Sequence, residues 1–395
     1  MNLTQSTKPR TAPRLATLVL ITAVAVLTLN MFLPSLPTMA REFGTSGVVM
    51  NLAVSGYLAV TTLTLLIAGP LSDRLGRRPV LLGAIALFIA ASVGCALATR
   101  VDLFLLCRLL QSGMAAGTVL SMAIIRDTME QQKAAATIGY VGMSMALAPM
   151  LGPMFGGVLD AAFGWRANFW FYAMAGCLLW ALCWRDVGET RALTHPDPKT
   201  PLSASLLRTP RFLAYALTTG LSRGGFYIFV TGAPFVAAAA FGAGPMEIGF
   251  YVGSITAGFL MGSFLTGRFA QRIEPHRLML IGRAVGVGGL ALGFVCLAAG
   301  VVTPVTVFGA TVAVGLGNGL TIPSSNAASL SVNPTIAGRA AGYEGAMGVA
   351  LGAVLTILTG AVLDVQATPE LFFGLLLFSV LASTATVLWA RRLQR

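Results

Sequence analysis

Residues 69–79 read Gly-Pro-Leu-Ser-Asp-Arg-Leu-Gly-Arg-Arg-Pro, a basic stretch between the uncharged runs 43–72 and 79–99. A helix that crosses the hydrocarbon layer of a membrane, which is roughly 30 Å thick, needs about 20 apolar residues. Both runs are long enough to do so. The stretch therefore predicts a short charged loop between two transmembrane helices.

The same alternation continues along the whole chain of 395 residues, of which 56% are hydrophobic and 10% are charged. A soluble globular chain carries about a quarter of charged residues, so a water-soluble enzyme is excluded. One uncharged run, 284–338, is long enough for two spans and is divided at Pro304. The uncharged runs thus predict an all-α membrane protein with twelve transmembrane helices of about these bounds: 15–36, 48–69, 79–98, 102–125, 134–158, 167–185, 212–238, 246–268, 277–299, 304–325, 337–362 and 368–390.

Positive charge is distributed unevenly between the two sides of this predicted bundle. If Met1 lies in the cytoplasm, the cytoplasmic segments hold twenty Lys and Arg residues, and the other side holds only Arg41, Arg100 and Arg166. This asymmetry follows the positive-inside rule and predicts that both termini are cytoplasmic. It also accounts for the net charge of +12, so the expected partner is the lipid bilayer and not a nucleic acid.

Several functional classes lack the motifs that they require. The five cysteines lie in hydrophobic spans without a CxxC pair, which argues against disulfides and against a metal site. None of the three lysines belongs to the Gly-Lys-[Ser/Thr] motif of an ATP-driven pump, and neither HExxH nor GxSxG occurs. We therefore expect no catalytic residue, no metal and no cofactor.

The loop that follows the sixth span is the one sizeable polar segment with several prolines. It divides the chain into an N-terminal six-helix bundle (1–185), a cytoplasmic linker (186–211) and a C-terminal six-helix bundle (212–395). Transporters are often built from two such repeated halves, with the substrate site near the membrane midplane between them. The organisation predicts a transporter.

The loop at 69–79 contains more than a basic loop needs. Asp73 can meet a helix N-terminus or an arginine of a neighbouring helix, and Gly69 allows close helix approach. Its basic side chains lie at the level of the cytoplasmic headgroups: Arg74, Arg77 and Arg78. The alternative, a loop that only sets topology, does not require this spacing of glycine and charge.

This loop resembles the signature loop of the major facilitator superfamily, and two further strings agree: Arg108-Leu-Leu-Gln111-Ser-Gly113 in span 4 and Ala148-Pro149-Met-Leu-Gly152-Pro153-Met-Phe-Gly156-Gly157 in span 5. The strings at 30–37, 55–60, 124–127 and 163–170 are similar to its bicyclomycin and chloramphenicol efflux (Bcr/CflA) subfamily. The resemblance implies two pseudo-symmetric six-helix bundles, monomeric, in a bacterial inner membrane. It implies export of small, mostly apolar drugs in exchange for protons, with the proton gradient as energy source. The alternative is export of a metabolite or sugar by the same fold.

Roles for residues in spans 4 and 5 follow from the resemblance. It implies that Arg108 faces the cavity and relays or gates proton binding, whereas the alternative is an arginine that snorkels to the membrane surface. Gln111 either donates to substrate or bridges helices. The small residues of span 5 are expected at the interface that closes when the cavity faces inward, or in ordinary packing: Gly152, Pro153, Gly156 and Gly157.

The first span departs from the subfamily pattern, because Asn30 stands where the subfamily usually has an aspartate. Asparagine cannot bind and release a proton, so the coupling acid must lie elsewhere. Of the fourteen acids, only Glu344 lies well inside a predicted span, roughly 10 Å from its start at 1.5 Å per residue. We predict that it pairs with Arg223 of span 7; the alternatives are a carboxylate at a helix start and, for coupling, Asp127.

Polar and aromatic residues in several spans are candidates for a substrate cavity. Pockets for drug-like ligands are mostly apolar, with a few well-placed polar groups. The candidates are Asn30, Tyr57, Tyr227 and Asn318. Each of them alone is more typical of packing between helices.

Overall fold

The computed structural model describes residues 13–190, 208–270, 272–332 and 337–393, and within them every regular element is a helix. Twelve helical spans in these residues are long and apolar enough to cross a membrane, as predicted. The helix of span 5 begins at Gln131 and that of span 11 at Ala337. Spans 1 to 12 are Leu15–Glu42, Gly47–Leu75, Arg77–Leu97, Val101–Thr128, Tyr140–Phe163, Arg166–Asp186, Pro210–Phe241, Pro245–Phe269, Pro275–Ala298, Pro304–Ser331, Gly342–Val365 and Pro369–Arg392.

Two spans contain a short 3-10 segment in place of a continuous α-helix. In span 1 this segment is Leu33–Ser35, and Pro34 and Pro37 near it lack the backbone N–H that a helix interior needs. In span 4 it is Ser112–Ala115. A 3-10 segment has fewer residues per turn than an α-helix, so it changes which residues face a given neighbour.

The two halves of the bundle pack in the same way. In the first half, span 1 packs on span 5, span 2 on span 4, and span 3 on spans 4 and 6. In the second half, span 7 packs on span 11, span 8 on span 10, and span 9 on spans 10 and 12. Each pair recurs with a shift of six spans, which is the two-bundle architecture that the sequence predicted. The predicted linker 186–211 lies mostly outside the described residues, which end at Thr190 and resume at Arg208.

An even number of spans places both ends of the described chain on one face of the bundle. We call this the terminal face, and the other the opposite face. The halves meet through span 5 with span 8 and span 2 with span 11. Glycine contacts place these meetings toward the opposite face: Gly157 lies against Pro245, and Gly360 lies against Asn51.

Candidate functional site

A cavity of about 500 Å³ lies between the two halves and is lined by spans of both. Asn30, Tyr57, Tyr227 and Asn318 all line it, and their contact with substrate stays a prediction. The remaining wall is mostly aliphatic and aromatic. Toward the terminal face the lining includes Gly142, Leu65, Ile322 and Gly345, so the cavity extends to that side of the contacts between the halves.

Three buried polar atoms in the cavity wall have no protein partner. Asn30 donates from Nδ2 to the carbonyl of Val26 at 2.8 Å, but its buried Oδ1 accepts no hydrogen bond. The hydroxyls of Thr61 and Thr256 are also buried and unpartnered, and both residues line the cavity. Buried polar groups in proteins are nearly always hydrogen-bonded, so these atoms are available to water or to a bound molecule.

Arg223 is the one charged residue among the described residues that line the cavity. Its side chain is half-buried and lies beside Gly348 of span 11, where an added Cβ would be 3.3 Å from Nη1. A side chain on Gly348 would crowd it. In the described part of the chain, no hydrogen bond or ion pair engages the Arg223 guanidinium.

Glu344 is 3% exposed and is held by span 10 instead of Arg223. Ser329 Oγ donates to Glu344 Oε2 at 2.5 Å, and the amide of Asn326, in the orientation that satisfies its neighbours, donates to Oε1 at 2.6 Å. The predicted Glu344–Arg223 ion pair is therefore wrong for this conformation of the described residues. Spans 7 and 11 are neighbours as expected, but Arg223 lies at Gly348, one helical turn or roughly 6 Å beyond Glu344. The described residues hold no group of three His, Cys, Asp or Glu that could bind a metal.

Arg108 does not face the cavity, and the expectation that it does is wrong for this conformation. Its side chain has no exposed surface, so it does not snorkel either. The guanidinium carbon lies 4.1 Å from the ring centroid of Phe32 and 4.4 Å from that of Tyr57. Tyr57 lines the cavity and so separates Arg108 from it.

The donors of Arg108 are taken up by uncharged acceptors. Its Nε donates to the carbonyl of Ala53 at 3.2 Å and its Nη2 to that of Thr28 at 2.7 Å. Nη1 donates to Gln111 Oε1 at 2.7 Å, and Gln111 Nε2 donates to Ser92 Oγ at 2.8 Å. Of the two roles left open for Gln111, the geometry gives it the bridge between helices.

Arg283 of span 9 is a second buried arginine, and the sequence interpretation did not include it among the site residues. It is 2% exposed and donates to Thr321 Oγ1 at 3.0 Å, Ser222 Oγ at 3.3 Å and Asn318 Oδ1 at 2.7 Å. Asn318 also donates to the carbonyl of Ser222 at 3.1 Å, so its polar atoms serve this cluster. The signal was available, because an arginine inside a span is costly and usually has a partner or a function.

The charged loop of the first half forms a network around Arg77. Its guanidinium contacts Asp73 Oδ1 at 2.6 Å and Asp127 Oδ2, at the end of span 4, at 3.2 Å. Arg74 is exposed. Arg78 donates to the carbonyl of Trp184 at 2.8 Å. The loop therefore connects spans 2, 3, 4 and 6 of one half, as the prediction of an arginine partner for Asp73 requires.

Glu189, which follows span 6, fills the helix N-terminus that was considered for Asp73. It accepts from the backbone N–H of Arg77 at 2.9 Å and of Arg78 at 3.3 Å. A carboxylate at a helix start is stabilised by the helix dipole. Gly76 has φ of 102° at this turn, a conformation that favours glycine. At Gly69, by contrast, an added Cβ would meet nothing within 4 Å, so its predicted role in close helix approach is wrong.

The small residues of span 5 lie at two close helix contacts. An added Cβ at Gly152 would lie 3.0 Å from Leu27, and one at Gly156 would overlap the carbonyl of Met31. On the side toward span 8, Gly157 lies against Pro245, and the carbonyl of Pro153 lies against Gly249. Span 5 thus packs on span 1 within its own half and on span 8 across the two halves.

Comparison with known families agrees with this fold. Residues 18–357 match the Major Facilitator Superfamily. The chain belongs to this superfamily of transporters.

Bacterial relatives are named as a transporter and as two drug-resistance proteins. The chain is 34% identical over 284 residues to an "Uncharacterized MFS-type transporter YdgK" of Bacillus subtilis, covering 69% of this chain and 71% of the relative. It is 32% identical over 277 residues to a "Chloramphenicol resistance protein" of Pseudomonas aeruginosa (70% and 65%). It is 34% identical over 259 residues to "Multidrug resistance protein MdtL" of Escherichia coli (64% and 65%). The matched region therefore spans about two thirds of the length of these relatives.

Solved structures share the fold at low sequence identity. A bacterial homologue of the human lysosomal transporter Spinster, in an inward-facing and occupied conformation, superposes with a TM-score of 0.76 at 17% identity, covering 95% of this chain and 93% of that one. The nucleoside transporter NupG gives a TM-score of 0.73 at 12% identity, with 96% and 100% covered. At these identities the likeness concerns the fold alone.

Proposed function

We propose that the protein is a secondary active exporter of small, mostly apolar drugs, which it exchanges for protons by alternating access. It acts as a monomer in the bacterial inner membrane with both termini in the cytoplasm, and the proton gradient supplies the energy. The names of its relatives support a drug as the substrate.

The observation that carries this proposal is the chemistry of the cavity wall. It has the volume and the mostly apolar lining of a site for a drug-sized molecule. Its free polar groups are few: Asn30 Oδ1, two threonine hydroxyls, the hydroxyls of Tyr57 and Tyr227, and the Arg223 guanidinium. A sugar needs a hydrogen-bonding partner for most of its hydroxyls, and this wall does not supply them.

The direction of the cavity supports export by alternating access. The charge asymmetry of the sequence assigns the terminal face to the cytoplasm. The halves meet toward the opposite face, where Gly157 contacts Pro245 and Gly360 contacts Asn51. In this conformation the cavity therefore lies on the cytoplasmic side of the contacts, where an exporter loads its substrate.

The cluster around Glu344 is the proposed site of proton exchange. Ser329 Oγ lies 2.5 Å from Glu344 Oε2 and 3.0 Å from the backbone carbonyl oxygen of Asn326. A hydroxyl can donate one hydrogen bond and also accept. Ser329 can thus donate to an ionised Glu344, or accept from a protonated Glu344 and donate to the carbonyl. Both protonation states have hydrogen-bonded arrangements without movement of the helices.

The test is a susceptibility panel in an efflux-deficient bacterial host, paired with transport by the purified full chain in proteoliposomes. We expect expression to raise resistance to small apolar antibiotics such as chloramphenicol, and an imposed pH gradient to drive their transport. Transport of a sugar or polar metabolite in the absence of drug transport would support the alternative. A rate of drug transport that does not change with the imposed pH gradient would contradict proton exchange.

A further inference from the structure

We propose that the cavity selects substrates that carry a single negative charge on an otherwise apolar body, with Arg223 as the counter-ion. This rests on the proposed function and names its substrate class. The carboxylate of an amphiphilic organic acid is the group that the cavity chemistry fits.

The first argument is the unpaired state of Arg223. A charge removed from water is costly unless it is paired or hydrogen-bonded. Arg223 is half-buried, so it has lost part of its hydration, and among the described residues no hydrogen bond or ion pair offsets that loss in a wall that is otherwise uncharged. An anionic group in the cavity supplies the missing partner, and a guanidinium binds a carboxylate with two parallel hydrogen bonds.

The second argument is the sign of the surrounding charge. Arg108 lies behind Tyr57, and Arg283 donates to Asn318, so both cations are one side chain away from the cavity. Their hydrogen bonds go to uncharged oxygens, which leaves their positive charge uncompensated. None of the described lining residues is acidic. Buried Glu344, which precedes the lining residue Gly345, offsets at most one of the three positive charges of Arg108, Arg223 and Arg283. The net charge around the cavity is therefore positive, which favours an anion and opposes a cation.

The third argument is the position of the remaining polar atoms. The free hydroxyls of Thr61 and Thr256 lie in spans 2 and 8, on different halves from one another, and both can donate to an anion or to its polar substituents. Phe226, Tyr227 and Phe259 supply aromatic wall for the apolar body. A ligand that uses these groups together with Arg223 contacts both halves of the transporter.

The room for this arrangement comes from glycines of span 11. An added Cβ at Gly348 would lie 3.2 Å from Arg223 Cδ, and one at Gly352 would overlap the ring of Tyr227. The two small residues allow both side chains to lie between spans 7 and 11 at the cavity. A larger residue at Gly348 should displace the guanidinium and weaken binding of the anion.

The test compares two probes that differ only in charge, N-dansyl-phenylalanine and its neutral amide. Binding to the purified full chain in detergent is measured at neutral pH by dansyl fluorescence. We expect the acid to bind at least about tenfold more tightly than the amide, equivalent to about 1.4 kcal/mol. Arg223→Gln should abolish this preference, Arg223→Lys should keep part of it, and Gly348→Val should reduce it.

Arg268→Gln is the matched control, because it removes the same charge from an exposed position in span 8 and should leave the preference unchanged. Equal binding of the two probes, no binding of the acid, or a preference that survives Arg223→Gln would overturn the inference. The proposed function fails separately. If the acid is preferred but no pH gradient drives transport of either probe, the preference for anionic substrates is supported and proton-driven export is contradicted.

Discussion

The two halves of the bundle use their buried charges differently. Each half buries one arginine whose three guanidinium nitrogens each donate to an uncharged oxygen, Arg108 in the first half and Arg283 in the second. Among the described residues, only the second half adds a cation at the cavity without a partner, Arg223. Each half also buries an acid: Asp160 near the opposite face in the first half, and Glu344 in span 11 of the second. In the equivalent first span, the first half has Asn30.

This difference indicates two roles for buried cations: some hold the helices together, and one is available to bind substrate. The Arg108 guanidinium, with three hydrogen bonds and two aromatic rings against it, holds helices together and has no exposed surface that a ligand could reach. A guanidinium without partners is kept at a cost, and a ligand can offset that cost. Both halves therefore supply polar atoms to the cavity, but the second half alone carries the charged groups to which substrate binding and proton exchange are assigned here, Arg223 and Glu344.

The largest expected effect comes from the comparison of Arg108 with Arg223. Arg108→Gln removes the buried donors to the carbonyls of Ala53 and Thr28 and to Gln111 Oε1, and should lower the free energy of unfolding by about 3 kcal/mol or more. Arg223→Gln removes no protein hydrogen bond and should change it little. Thermal unfolding of the detergent-solubilised variants checks both values. Equal destabilisation would show that the two arginines do not differ in this way.

The next effect tests the helix packing of the first half. Gly156→Ala places a methyl group on the carbonyl of Met31, whereas the same change at Gly69 meets nothing within 4 Å. Overpacking of this kind costs about 1–3 kcal/mol, so Gly156→Ala should lose most transport and some stability. Gly69→Ala is the control and should keep both, as measured by proteoliposome transport and thermal unfolding. If the two variants behave alike, the contact between spans 1 and 5 is not tight.

A smaller effect is expected in the charged loop, where the structure distinguishes the arginines. Arg77 contacts Asp73 and Asp127, while Arg74 is exposed. Arg77→Ala should reduce transport more than Arg74→Ala, and Asp73→Asn should fall between them because Asp127 still holds Arg77. The measurement is the initial transport rate, normalised to inserted protein. A larger loss from Arg74→Ala would contradict this prediction, because it would show that the essential charge of the loop is on Arg74 and not on Arg77.

The smallest effect is expected from giving the first half an acid at the cavity, where it has none among the described lining residues. Asn30→Asp introduces a carboxylate into the cavity wall, where it offsets part of the positive potential. We expect a few-fold gain in transport of a cationic dye such as ethidium and a loss for N-dansyl-phenylalanine. The control is Gln366→Glu, which adds the same negative charge at an exposed position. A buried position such as Ser55 would not serve, because an acid there would destabilise the protein. An unchanged substrate range would mean that position 30 does not act on substrate.

The sequence predicted the fold well because the fold depends on the lengths of the uncharged runs and on the distribution of charge between them. Uncharged runs of sufficient length give the spans, and the asymmetry of Lys and Arg gives an orientation. The cavity position of Asn30 and Tyr227 also followed, because polar and aromatic residues in mid-span of these two helices face the repeat interface. The close packing of Gly156 followed from the small-residue string around it.

The partners of individual side chains could not be predicted in the same way. A helix that is apolar on all sides has no amphipathic stripe that shows which face is buried. The sequence therefore does not show whether the Arg108 side chain faces the cavity or a neighbouring helix. The 3-10 segment that follows Gln111 changes the facing further. For Glu344 and Arg223 the neighbouring spans were right, but the offset of one turn depends on how the two helices slide. Glu189 lies beyond a helix end, where only tertiary packing brings it to Arg77.

The most direct test of proton-driven export is the movement of protons caused by substrate. Proteoliposomes that contain the full chain and an internal pH-sensitive dye are given N-dansyl-phenylalanine or chloramphenicol without an imposed gradient. We expect substrate entry to drive protons in the opposite direction, and Glu344→Gln to abolish this movement while substrate binding persists. Glu370→Gln, an exposed exchange in span 12, should behave as the unmodified protein. Substrate movement without any proton movement, or full proton exchange by Glu344→Gln, would contradict the account.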